Sequence, residues 1–133
     1  MRRHLAPRVS VSGQIQPRQI SDLAAAGVTL LICNRPDREE PGQPTHADLA
    51  QAAESAGVRF RVEAFQGRPT PAAVEAMSEA LADDAVIHAF CRSGMRSTAT
   101  WAMAEVRRGR PVDEVLLAGR EAGYDLAGLL PSG

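Results

Sequence analysis

The residues best suited to chemistry lie in the stretch VIHAFCRSGMRS at positions 86–97. Cys91 offers a nucleophile, and Arg96 follows it with four residues between. The apolar run before Cys91 reads as a strand and the residues from Ser97 onward as a helix, so the pair sits on a strand–loop–helix junction. Backbone N–H groups of a tight loop that runs into a helix N-terminus converge on one centre, where they and the helix dipole favour an anion. The same field, with Arg96, favours the thiolate form of Cys91. Gly94 lets the loop close at positive φ. Ser97 is expected to cap the helix and donate to the sulfur. Arg92, Ser93, Gly94, Met95, Arg96 and Ser97 are therefore the expected anion-binding residues. A strand-terminal core cysteine beside an ordinary turn is the plainer reading of a lone Cys. Cys, Gly, Arg and Ser together at a strand-to-helix junction favour the catalytic one.

A second polar segment, NRPDREEPGQP at 34–44, is too long for a simple turn and marks a functional loop. Within it Asn34 is expected to support the Cys91 loop and Asp37 to reach the substrate, with Glu39 or Glu40 as further carboxylates. The competing reading makes Asn34 and Asp37 turn builders and leaves the glutamates solvated. Cys33 reads as a buried structural thiol rather than a resolving cysteine. His88, three positions before Cys91 on one strand, faces the opposite side of the sheet and reads as a satisfied core histidine. His4 and His46 read as surface residues, and Trp101, Met103 and Val106 as packing positions on the helix after Arg96. Arg107, Arg108 and Arg110 complement that helix's C-terminal dipole.

These residues must be positioned by regular elements, and the punctuation is clear. Residues 9–11 read as an opening strand. Pro17 begins a helix that Gly27 ends. The unbroken apolar run 28–33 fits a strand buried on both faces. Thr45 caps a second helix that ends at Gly57. Residues 58–65 form a third strand, and Thr70-Pro71 open an alanine-rich helix to about Asp83. A fourth strand at 86–90 and two more helices, from Ser97 and from Pro111, complete the chain. Strand–helix alternation of this kind implies an α/β fold with a mostly parallel sheet of four to five strands flanked by helices. Ligands in such folds bind beyond the carboxyl ends of the strands. The loops after 33, 65 and 90 all lie there.

Composition narrows the classes. The 133 residues suit one domain, 1–133, with one real core. The net charge of −1 argues against nucleic-acid or membrane-surface binding. All 15 basic side chains are Arg, which excludes lysine Schiff bases, a pyridoxal-phosphate anchor and a Walker A loop. Three scattered His and two Cys give no metal-ligand spacing, so no metal or other cofactor is expected. No apolar run reaches the roughly 20 residues of a membrane span, and none follows the early arginines as a signal peptide requires. The expected location is the cytoplasm, where both thiols stay reduced.

CRSGMRS resembles the active-site loop shared by rhodanese-type sulfurtransferases and Cys-dependent phosphatases. VSGQIQP, LICNRPDREEPGQPT, CRSGMRS and AGYDLAGL together resemble the phosphatase-like domain of beta-lactamase-hydrolase-like proteins, over about residues 8–130. The resemblance implies a dual-specificity-phosphatase-like fold, Cys91 as nucleophile and Arg96 as anion clamp. Members of that family are described both as phosphatase-like hydrolases and as sulfur transferases. Two departures matter. The phosphatase signature has five residues between Cys and Arg and a His before the Cys; here there are four, and Phe90. The loop at 64–70 also lacks the Asp that serves those phosphatases as general acid, which leaves Asp37 as substitute. A smaller amide ring suits a persulfide or small oxyanion, and sulfite leaves without an acid. The favoured expectation is therefore sulfur transfer through a Cys91 persulfide, with a thiosulfate or persulfide donor and a thiol acceptor. The alternative is hydrolysis of a phosphate ester through phospho-Cys91, with Asp37 as acid.

Overall fold

The computed structural model describes residues 2–130. Five strands form one sheet in the order β1-β2-β5-β3-β4. They are β1 (Arg3–Ala6), β2 (Val9–Ser12), β3 (Leu30–Cys33), β4 (Arg59–Val62) and β5 (Ile87–Phe90). β1 is antiparallel to β2, and every other pair is parallel. The hairpin partner β1 has no counterpart in the sequence reading. Only Leu5 of its four residues is buried, so an edge strand this short carries no period-two signal.

The helices are α1 (Ile20–Ala25, entered through a 3₁₀ turn at Pro17–Gln19), α2 (His46–Ala56), α3 (Pro71–Ala82), α4 (Met95–Arg107) and α5 (Val112–Glu121). Their starts follow local chemistry. Thr45 Oγ1 accepts the Asp48 amide at 3.1 Å and Thr70 Oγ1 the Ala73 amide at 3.2 Å, each meeting one orphan donor of a first turn. α4 begins two residues earlier than expected, because the chain reverses at Gly94 rather than at Ser97.

Strand alternation divides the core between the two faces of the sheet. Val9, Val11, Leu30, Ile32, Ile87 and Ala89 pack with Met77 of α3, Trp101 of α4 and Val115 of α5. Leu31, Cys33 and Phe90 pack on the other face with Ile20 and Leu23 of α1 and Leu49 of α2. β5 lies between β2 and β3, so the chain reverses its lateral direction after β4. The helix after β3 therefore covers one face and the helix after β5 the other. A crevice opens at the carboxyl ends of β3 and β5, the place where α/β sheets bind ligands. Cys33 and Cys91 stand at its base.

Candidate active site

β5 ends at Phe90, and the next amide, of Cys91, still reaches Ser12 O at 3.4 Å. The chain then turns sharply. Gly94 has φ +96°, and a Cβ there would collide with Tyr124 Oη, so both conformation and space demand glycine. The Gly94 amide donates to Cys91 Sγ at 3.1 Å. The Gly94 carbonyl accepts the Thr98 amide at 2.9 Å and Thr98 Oγ1 at 2.7 Å, which closes the first turn of α4. Ser93 Oγ accepts the Met95 amide at 3.3 Å. The amides of Arg92, Ser93, Arg96 and Ser97 have no hydrogen-bond partner among the described residues. They are orphan donors at a helix N-terminus.

Arg96 is held along two edges of its guanidinium and free along the third. Nη1 and Nη2 donate end-on to Glu39 Oε2 and Oε1, at 2.9 and 2.7 Å. The second Nη1 proton goes to Phe65 O at 2.9 Å. This leaves Nε–H and one Nη2–H without partners among the described residues. They share one side of the planar group and form a fork suited to two oxygens of an oxyanion. Glu39 also accepts from Arg35 Nε at 2.8 Å and Gln66 Nε2 at 3.1 Å. Donation by Arg96, more than any other cause, pulls the Glu39 carboxyl down to about 2. Glu39 is therefore ionised at neutral pH and acts as a brace, not a proton donor. Arg35, itself buried, ties in Glu40 at 2.6 Å and Gln14 Oε1 at 3.0 Å, and Glu40 reaches Arg92 at 3.3 Å.

The residues singled out in the sequence divide as follows. Asn34 Nδ2 donates to Glu63 O at 2.9 Å, and Asn34 Oδ1 accepts Ser97 Oγ at 2.9 Å. Ser97 therefore neither caps α4 nor donates to the sulfur. It lies inside the helix, where its hydroxyl faces β3 across the crevice. Asp37 meets neither Arg96 nor the Cys91 loop. Its Oδ1 accepts the His46 amide at 2.8 Å, at the start of α2. Arg38, at φ +63°, turns the chain between Asp37 and Glu39 and sends the two carboxylates to different partners. His46 is half-buried rather than a surface residue, with Nε2 2.7 Å from Arg35 O.

His88 lies on the face opposite Cys91, with Nδ1 2.8 Å from Ser10 Oγ and Nε2 2.8 Å from Ser12 Oγ. Ser12 Oγ gives its proton to Gly13 O at 2.8 Å, so it must accept from Nε2–H, and Nδ1 must accept from Ser10. Burial, reinforced by Arg2, pushes His88 down to about 3, so the ring is neutral. This chain holds Gly13 beside the Cys91 loop, where a Cβ would lie 2.8 Å from Arg92 O. Sequence reasoning did not single out Tyr124, Arg35, Gln14 or Gln66. Tyr124, Gln14 and Gln66 act on residues more than 20 positions away in the chain, which no spacing announces, and Arg35 binds Glu39 and Glu40 within its own polar loop. Among the described residues no group of three or more His, Cys, Asp or Glu could hold a metal. No helix among them is long and apolar enough to cross a membrane.

A thiol beside orphan amides and an arginine fork offers the groups needed to bind a tetrahedral oxyanion and attack it. The family described as beta-lactamase hydrolase-like protein, phosphatase-like domain, matches residues 2–107. The beta-lactamase hydrolase-like protein of Xylella fastidiosa is 34% identical over 122 residues, 90% of this chain and 28% of that protein. The chain thus spans under a third of the length of such relatives. A phosphatase candidate from Neisseria meningitidis superposes at TM-score 0.80 with 31% identity, covering 94% of this chain and 90% of that one. PTPMT1 in complex with PI(5)P superposes at TM-score 0.76 with 15% identity, covering 97% and 89%, a likeness of fold alone. Family and neighbours are phosphatase-like by description, so the favoured expectation of sulfur transfer is not supported and the phosphate-ester alternative fits better. With most of its length matched by one family, the chain belongs to the phosphatase-like domain family of beta-lactamase hydrolase-like proteins, on a Cys-based phosphatase-like α/β fold.

Proposed function

We propose that this domain hydrolyses phosphomonoesters through a phosphocysteine on Cys91. The observation that carries the reading is the free side-on edge of Arg96, braced by Glu39 and Phe65 O. Two phosphoryl oxygens would take Nε–H and Nη2–H, and the unpaired amides among Arg92, Ser93, Arg96 and Ser97 would take the third. Cys91 thiolate attacks phosphorus and the ester oxygen leaves with the bonding electron pair. Water then attacks the phosphocysteine, releasing inorganic phosphate and restoring the thiol. Asn34 supports the loop through Ser97.

Among the described residues no carboxylic acid stands ready to protonate the leaving group, because Glu39 is ionised, Glu40 is paired with Arg35 and Arg92, and Asp37 is engaged at α2. Esters whose alcohols leave easily, such as aryl phosphates, are therefore the favoured substrates. The complex of a fold neighbour with PI(5)P agrees with a phosphate ester as substrate class. Turnover of an aryl phosphate by the wild type and by Cys91→Ser tests the proposal, with thiosulfate and cyanide assayed in parallel. Phosphate release lost in Cys91→Ser is expected. Thiocyanate formation without phosphate release would overturn it.

A further inference from the structure

The orientation of one peptide group decides whether the sulfur of Cys91 faces a donor. The Ser93–Gly94 peptide is trans and planar, so its carbonyl and its N–H point in opposite directions. The N–H donates to Cys91 Sγ at 3.1 Å, and at the other end the carbonyl accepts Tyr124 Oη at 3.1 Å. Gly94 has φ +96° and ψ −11°, close to the second central residue of a type II turn. Rotating that peptide by half a turn gives the type I arrangement, with φ near −90° at the same residue, and glycine adopts both readily. The flipped peptide would present the carbonyl oxygen to the sulfur and oppose a negative charge there. Nothing in the backbone preference of Gly94 selects between the two.

Tyr124 is placed to select. It comes from the turn after α5, far from the loop in sequence. That turn is fixed: the Tyr124 amide donates to Gly119 O at 2.8 Å, and a Cβ on Gly119 would lie 2.5 Å from Leu126 Cδ1, a side chain that is fully buried. The phenol lies directly against Gly94, where it would meet any Cβ. Burial, and then the nearby Cys91 charge, push the Tyr124 hydroxyl up from its ordinary value, so it stays a proton donor through neutral pH.

We propose that Tyr124 is a positioning residue: by holding the Ser93 carbonyl it keeps the Gly94 N–H aimed at Cys91 and so stabilises the thiolate. The inference rests on Cys91 as the nucleophile of the proposed function but not on the ester it attacks. Protonation of the thiol therefore reads it separately from turnover.

Cys91 is fully buried, so a resonance reads its ionisation better than a reagent. The test follows the Cβ carbon resonance of isotope-labelled Cys91 against pH in the full chain, in wild type and Tyr124→Phe. Loss of one hydrogen bond to a charged sulfur should move the midpoint up by about one pH unit, about tenfold less thiolate at a given pH below it. An unchanged midpoint in a Tyr124→Phe protein with a wild-type unfolding transition would overturn the proposal. Should the phenylalanine variant fail to fold, exchange of the Gly94 amide in wild type decides. Slow exchange that accelerates when Cys91 is changed to Ala supports the proposal, and exchange as fast as an open loop amide overturns it.

Discussion

Cys33 and Cys91 close two neighbouring parallel strands, Cys33 in register with Phe90, the residue before Cys91. Both are buried, at 1% and 0% exposure. They differ in the direction of one hydrogen bond. Cys33 Sγ donates to Arg35 O at 3.3 Å, and burial pushes that thiol up to about 11, so it stays protonated. Cys91 Sγ accepts from the Gly94 amide. After β3 the chain turns a carbonyl toward the sulfur; after β5 a glycine at positive φ turns an N–H toward it. Residue type and burial are shared, so the loop backbone separates a structural thiol from a candidate nucleophile.

The largest test of that contrast exchanges the sulfurs one at a time. Cys91→Ser should lower kcat/KM for an aryl phosphate by at least about 10³-fold, whereas Cys33→Ser should leave it within about threefold in the folded protein. Equal losses would erase the distinction. Next in size is the anion fork. Arg96→Lys should lose about 10²–10³-fold and gain little over Arg96→Ala, because an ammonium cannot present two parallel donors. Near-full activity in the lysine variant would make charge alone sufficient.

Glu39→Gln should cost about 10- to 100-fold by letting the guanidinium shift by about 1 Å. It also has a pH signature. The folded protein releases the Glu39 proton more readily than the unfolded chain does. The stability advantage of wild type over the Gln variant is therefore full above the ordinary value of 4.5 and shrinks as pH falls toward about 2. Urea midpoints measured from pH 7 to 3 would check this, and a gap that widens on acidification would contradict it. Smallest of all, Asp37→Asn should cost about 0.3–1 kcal/mol of stability through the start of α2 and leave aryl-phosphate turnover nearly intact. A large loss in a well-folded Asp37→Asn protein would return that residue to the site.

The parallel sheet was legible because strands and helices alternate along the chain and β3 writes itself as an unbroken apolar run between Gly27 and Pro36. The Cys91–Arg96 junction was legible because strand, loop and helix are consecutive there. The hairpin strand Arg3–Ala6 was not, since one buried leucine makes no pattern. The choice between Asp37 and Glu39 was not either. A single left-handed residue, Arg38, reverses which carboxylate faces inward, and nothing in a run of polar residues marks it. The hydroxyl of Ser97 was assigned to the nearer sulfur, yet it bonds Asn34, 63 positions away in sequence. Local spacing locates the candidate nucleophile. What braces it is settled by contacts between elements, which sequence order does not reveal.

The most direct test of the central claim is to trap the intermediate. Wild-type protein mixed with an aryl phosphate, quenched during turnover and digested, should carry one phosphoryl group on the peptide containing Cys91 and none on the peptide containing Cys33. Phosphate release with no phosphoryl group on Cys91, or a phosphoryl group on another residue, would contradict the account.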